Sequence, residues 1–153
     1  MNFKSEIKFL YDALMKYSAF FGSFVFWIFA ILFLLIINQS SFAVKFFMAS
    51  LIGKALEYGV KIVYRTERPK YNKKTISLFE RFHDLGSMPS GHSIMISLFT
   101  TMAYLQYNVP YLALLLIAAS LLSGLSRIYL KRHYTKDVIV GYALGILLGY
   151  LFS

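Results

Sequence analysis

Apolar residues run along this chain in five long stretches, near residues 19–37, 42–63, 92–106, 110–126 and 138–152, separated by short polar breaks and one long one. Each is close to the roughly 17–25 residues that a helix needs to cross the hydrocarbon core of a bilayer, or a little short of it. A soluble helical bundle would need a polar face on most of its helices, and the stretch at 19–37 (AFFGSFVFWIFAILFLLII) has no charge on any face. The pattern therefore predicts an all-α polytopic membrane bundle of about five transmembrane helices, with residues 1–153 forming a single domain.

The flanking segments read differently. Phe3, Ile7, Leu10, Tyr11 and Leu14 share one helical face, while Lys4, Glu6, Lys8, Asp12 and Lys16 fall largely on the other. No small-x-small cleavage site follows the apolar run, so 1–18 is not a cleavable signal; it is expected to lie along the membrane surface as an amphipathic helix or to lead into the first span. The one long connection is 64–91, and loops of that length inside a compact fold are usually functional. Within it Ile76, Phe79 and Phe82 recur at three-residue spacing, and Ser77 precedes Glu80 as a capping box, which predicts a short interfacial helix. Pro110 opens the fourth helix, where its missing N–H costs nothing. Gly141, Gly145 and Gly149 form a small-residue ridge at four-residue intervals, suited to close packing within the monomer or, alternatively, to a homodimer.

Composition sharpens this picture. The chain is 58% hydrophobic and 15% charged, outside the soluble average. It has no cysteine, which excludes disulfides, thiolate nucleophiles and cysteine-ligated metals. The net charge is +9, and of 16 lysines and arginines, 13 lie in the segments 1–18, 64–91 and 127–137. With five spans those three segments emerge on one side of the bilayer, while the opposite turns, near Asn38 to Ser41 and Gln106 to Pro110, carry no basic residue. A face so cationic favours anionic partners, either phospholipid headgroups or a phosphorylated substrate. No nucleic acid partner is expected.

Three polar clusters sit at the membrane boundaries of that face: Lys61-x6-Arg68-Pro69, then Pro89-Ser90-Gly91-His92, then Ser126-Arg127-x5-His133-x3-Asp137. The second places a hydroxyl and a glycine at a helix start, where free N–H groups and the positive end of the helix dipole attract an anion. Lys61, Arg68 and Arg127 converge from separate segments, and guanidinium forks suit the paired oxygens of a phosphoryl group. His133 and Asp137 stand one helical turn apart, where the carboxylate can accept from one ring nitrogen and leave the other unprotonated, as a histidine nucleophile requires. His92 would then act as general acid and later as base. By contrast His83 reads as a surface residue, and Arg65, Lys70, Lys73, Lys74 and Lys131 as solvated or headgroup-binding. Lys54 and Glu57 form a structural pair within the second helix, or else Glu57 orients Lys61.

Taken together, K-x6-R-P, P-S-G-H and S-R-x5-H-x3-D resemble the signature of the phosphatidic acid phosphatase type 2 superfamily, the lipid phosphate phosphatases that share a core with vanadium haloperoxidases and glucose-6-phosphatase. The likeness covers the chain from about residue 55 to the C-terminus. It implies an all-helical fold and hydrolysis of a phosphomonoester or diphosphate with no metal and no cofactor, through a phosphohistidine. By position, His133 is the nucleophile, Asp137 its partner and His92 the acid, with Lys61, Arg68, Ser90, Gly91 and Arg127 binding the phosphate. Many membrane members have six spans and a site facing away from the cytoplasm. Here five are counted, and the positive-inside rule would turn the cationic face toward the cytoplasm. On the family's pattern, the site is expected to face the extracytoplasmic side of a bacterial inner membrane. An interfacial site among apolar helices suits a lipid whose tail stays in the bilayer: undecaprenyl diphosphate, phosphatidylglycerophosphate, phosphatidic acid or a lipid A 1-phosphate. The competing readings are a phosphatase of a soluble ester, peroxidase chemistry on the same residues, and a non-catalytic module that binds anionic lipids.

Overall fold

The computed structural model describes residues 3–69 and 86–153, and among these the chain is helical, with no strand. Helix α1 (Phe3–Ser18) enters a 3-10 turn (Ala19–Gly22) and is followed by α2 (Phe24–Ile36), α3 (Ser40–Tyr64), α4 (Gly91–Tyr107), α5 (Pro110–Tyr129) and α6 (Thr135–Phe152). The interfacial helix expected around Ile76, Phe79 and Phe82, like His83, lies outside the described residues.

The apolar stretch at 19–37 is not one helix. Its first residues form the 3-10 turn, and α2 starts afresh at Phe24, bent by 57° from the segment before it. Ser23 makes the break: its backbone is extended and its hydroxyl accepts from the Phe26 N–H at 3.2 Å, capping α2. At 13 residues α2 is only about 20 Å long, too short to cross a hydrocarbon core of roughly 30 Å unaided. Helix α1 does form where amphipathicity placed it, and Ile7, Leu10, Tyr11 and Leu14 are all exposed. It leans on α5 through Tyr11, whose ring meets Tyr129 edge-on at 5.1 Å, and through a hydrogen bond from the Tyr129 hydroxyl to Asp12.

Burial is inverted relative to a water-soluble protein. Phe29, Phe33, Leu114, Leu115, Ile139 and Leu151 are each more than half exposed, whereas Glu57, Lys61, Ser90, Ser93, Ser123, Ser126, His133 and Asp137 are buried. Large apolar side chains on the outside and ionisable groups within are stable together only where the surroundings are hydrocarbon and every buried polar group faces the bundle interior. The chain is an integral membrane protein. Among the described residues, α5 and α6 are each long and apolar enough to cross a bilayer, and the bent α1–α2 pair qualifies as one further span. Helix α3 reaches 25 residues but carries Lys45, Lys54, Glu57 and Lys61, and α4 has 17 residues.

Helices α4 and α6 pack closest. A β-carbon at Gly141 would lie 2.7 Å from the Ser90 carbonyl oxygen, one at Gly149 would lie 2.6 Å from Thr101 Cβ, and one at Gly145 would collide with Ser97 and with the backbone of α4. The glycine ridge is thus occupied inside a single chain, which removes it as the face of a homodimer. Farther from the loop at 65–69, Trp27, Phe46 and Phe99 meet with ring centroids 5.0–5.3 Å apart, locking α2, α3 and α4 together. Gly145→Val should force α4 off α6 and destabilise the protein by about 1–3 kcal/mol, as overpacking does. Thermal melts in detergent would read this as a lowered midpoint, with lipid-facing Leu147→Val, at a position 56% exposed, close to wild type.

Candidate active site

Four helix ends meet on one side of the bundle: the C-termini of α3 and α5 and the N-termini of α4 and α6. Their register is set by backbone. The Ser90 N–H donates to the Asp137 carbonyl at 2.9 Å, so the first turns of α4 and α6 stand side by side, each with unsatisfied N–H groups and a positive dipole end. Helix α3 stops at Arg65, which takes a left-handed conformation (φ 36°) and returns its N–H to the Lys61 carbonyl at 3.0 Å. Thr66 then ties the two loop strands together: its carbonyl accepts from the Ser87 N–H at 2.8 Å and its hydroxyl oxygen from the Met88 N–H at 3.1 Å.

The five-residue gap between Arg127 and His133 has a structural cause. After α5 ends, Lys131 adopts φ 53°, and the chain curls so that Arg132 and His133 both donate their N–H to the Arg127 carbonyl, at 3.0 and 3.2 Å. His133 is thereby pinned beside the arginine that precedes it. The imidazole is buried, and its Nδ1 lies 2.7 Å from the Ser87 carbonyl oxygen. A carbonyl can only accept, so Nδ1 carries the proton and Nε2 is left with a free lone pair.

This differs from the expected His133–Asp137 bond. Asp137 Oδ2 is 3.7 Å from Nδ1 and accepts instead from the Tyr134 N–H at 2.9 Å, capping α6. The other oxygen, Oδ1, is buried with no hydrogen-bond partner among the described residues. The hydrogen bond that orients the ring therefore comes from the main chain of Ser87, with the Asp137 carboxylate 3.7 Å away.

The other predicted residues are gathered in the same place. The cationic charges acting on His133 are Arg68, Arg127 and Lys61, and His92 lies within electrostatic reach of Arg127, His133, Lys54 and Lys61. Arg127 Nε is buried without a hydrogen-bond partner among the described residues. Lys61 is 4% exposed, and its ammonium is bonded to Glu57 at i,i+4. Ser90 is fully buried and spends its oxygen as the cap of α4, accepting from the Ser93 N–H at 3.4 Å and the Ser93 hydroxyl at 3.0 Å. Gly91 is required by Glu57: a β-carbon there would lie 2.5 Å from the Glu57 carboxyl carbon. Among the described residues no three of His, Asp and Glu gather as a metal-ligand group.

Three contributors escaped the sequence reading. Ser87 acts through its carbonyl, which every residue type possesses. Thr66 looks like any loop threonine. Gly22 packs against His92, where a β-carbon would come within 2.5 Å of His92 Cβ, so the 3-10 break lies over that histidine; the Gly22-Ser23 pair inside an otherwise unbroken apolar run was the available signal. Apart from this cluster, a cavity of about 540 Å³ lies between α4, α5 and α6, lined by Thr101, Tyr104, Ile117, Leu121, Tyr142 and Ile146 among others.

The profile of the PAP2 superfamily matches residues 42–153, which span every one of these motifs. The chain belongs to that superfamily. Its fold is similar to those of two solved proteins. One is the first transmembrane PAP2 type phosphatidylglycerolphosphate phosphatase from Bacillus subtilis, with TM-score 0.74 and 22% identity over 94% of this chain and 75% of that one. The other is Aquifex aeolicus LpxE, with TM-score 0.76 and 24% identity over 93% of this chain and 84% of that one.

Burial, and then the charges of Arg68 and Arg127, push the His133 imidazole down from its ordinary 6.5 to about 3, against the opposing effect of the Ser87 bond. With the folded-state value depressed, the unfolded chain takes up the proton first as pH falls. The stability linked to this group is complete above about 6.5 and drains away toward about 3. Melting midpoints recorded from about pH 7.5 down to about pH 4 should therefore fall more steeply for wild type than for His133→Gln. Parallel curves would contradict a buried neutral imidazole.

Proposed function

We propose that this protein is a membrane lipid phosphatase that removes a terminal phosphate from a lipid phosphate or diphosphate through a phosphohistidine on His133. The observation that carries this reading is the Ser87–His133 bond: it leaves an unprotonated Nε2 on an imidazole that lies in the field of Arg68, Arg127 and Lys61. A neutral imidazole with a fixed tautomer is a nucleophile, and surrounding cations stabilise the charge on the phosphoryl oxygens in the transition state.

In this mechanism Lys61, Arg68 and Arg127 hold the phosphoryl group, with the N–H groups of Gly91 and His92 at the start of α4 and the Ser90 hydroxyl hydrogen. His133 Nε2 attacks phosphorus as the bond to the leaving oxygen breaks, and His92 gives that oxygen its proton. Positive charge develops on His133, and the Asp137 carboxylate at 3.7 Å favours it. Water then attacks the phosphohistidine, His92 takes the proton, and orthophosphate leaves as His133 is regenerated.

A lipid substrate, rather than a soluble ester, is supported by the apolar surface that surrounds the polar end and by the slot between α4, α5 and α6, which can accept a hydrocarbon chain. Undecaprenyl diphosphate, phosphatidylglycerophosphate, phosphatidic acid and a lipid A 1-phosphate are the substrates to test. We assign the protein to a bacterial inner membrane with the site on the extracytoplasmic side, and no metal ion enters the reaction.

The deciding experiment is phosphate release from that panel by purified protein. His133→Ala should lose at least about a thousandfold in rate, and His92→Ala about 10²–10⁴-fold, the usual worth of a general acid. EDTA should leave the rate unchanged, and orthovanadate should inhibit. Undiminished function in His133→Ala would instead identify a module that binds anionic lipids. For orientation, single cysteines at positions 38 and 73 can be probed in intact cells with an impermeant thiol reagent; labelling at 73 and not at 38 is expected.

A further inference from the structure

Glu57 holds two ammonium groups at once. Lys61 Nζ bonds one carboxylate oxygen, and Lys54 Nζ lies 2.7 Å from the other. One cation is enough to neutralise a buried carboxylate, and ionisable groups inside a membrane are costly enough that a second needs its own reason. The two lysines also differ in setting: the Lys61 side chain is 5% exposed and that of Glu57 7%, but Lys54 is 32% exposed. An ammonium has three hydrogens, so Lys54 can satisfy Glu57 and still donate to a ligand.

Its position is informative. The Glu57 carboxylate lies against Gly91, the residue before His92, and Lys54 is among the charges acting on His92. Along α3, Lys54 leaves the backbone seven residues, about 10 Å, before Lys61, and its ammonium reaches the shared Glu57 carboxylate from the side away from the loop end. It therefore stands beyond the phosphoryl cradle on the side of His92, the group that protonates the leaving oxygen. Two ammoniums on the two oxygens of one carboxylate are close neighbours, matched to two phosphates that share one bridging oxygen.

We infer that Lys54, held in place by Glu57, is the subsite for the non-scissile phosphate of a lipid diphosphate, an inference that rests on the phosphatase reading above. The terminal phosphate occupies Lys61, Arg68 and Arg127. His133 Nε2 forms the N–P bond, the bond from terminal phosphorus to the bridging oxygen breaks, and His92 protonates that oxygen. The lipid monophosphate departs with its oxygens on Lys54. A lipid monophosphate substrate has an alcohol as leaving group and makes no use of Lys54 charge, so this residue sets the preference between the two classes.

The test compares farnesyl diphosphate with farnesyl monophosphate, two substrates of equal chain length, in purified full-length protein. Lys54→Met should lower the ratio of kcat/KM for diphosphate over monophosphate at least tenfold, chiefly through KM for the diphosphate. Lys54→Arg should recover most of the ratio. Where Lys54→Met does not fold, Lys54→Gln, whose amide can still donate to Glu57, takes its place. A ratio within twofold of wild type, whether or not both rates fall, would reduce Lys54 to a structural partner of Glu57 and overturn the subsite. So would a wild-type enzyme that cleaves the monophosphate and leaves the diphosphate intact. A wild type that releases phosphate from neither substrate, nor from any other lipid phosphate, removes the phosphatase reading itself.

Discussion

Lacking side chains at Gly141, Gly145 and Gly149, α6 comes against α4 until the Ser90 N–H reaches the Asp137 carbonyl, 2.9 Å away. That approach places two helix N-termini together at the membrane boundary. The free N–H groups and positive dipole ends of both then face the same small volume. Into this volume the C-terminal ends of α3 and α5 bring Lys61 and Arg127, and the loop after α3 brings Arg68. If the two helices stood a residue's width apart, the cations would remain, but the backbone donors would be divided between two places.

A site so rich in positive charge, inside a bundle wrapped in apolar side chains, needs internal compensation. Glu57 provides part of it, joining Lys61 and Lys54 and packing against Gly91. Asp137 provides another part, held at the start of α6 by the Tyr134 N–H. The remaining imbalance favours an anion, and burial together with the same positive field keeps His133 neutral.

The legibility of the site divides along chemical lines. Cations, imidazoles and the P-S-G-H turn were readable because their functions require particular residue types at fixed spacing. The five-residue gap before His133 was visible as a pattern, but its cause was not: the curl through Lys131 that hangs two N–H groups on the Arg127 carbonyl. The i,i+4 spacing did anticipate Asp137 beside His133, 3.7 Å away, but not that Nδ1 bonds the Ser87 carbonyl, because a direct i,i+4 hydrogen bond needs the stretch to be helical throughout. His133 instead lies before α6 begins, and Asp137 is turned back to cap that helix. Similarly, the apolar stretch at 19–37 concealed a break, since hydropathy does not register that Ser23 can cap a helix or that Gly22 can lie against a histidine.

By itself the sequence determined the medium and the inventory. Long uncharged apolar runs can be stable only in hydrocarbon, and three motifs at helix ends define which chemical groups are available. Tertiary structure decided which of those groups touch. It drew the Ser87 carbonyl to His133, from a distance of 46 residues along the chain, and the Glu57 carboxylate to Gly91. The physical reason is that side-chain chemistry is written residue by residue, whereas a backbone carbonyl is the same at every position. Only folding determines which of those identical groups stands opposite a particular imidazole.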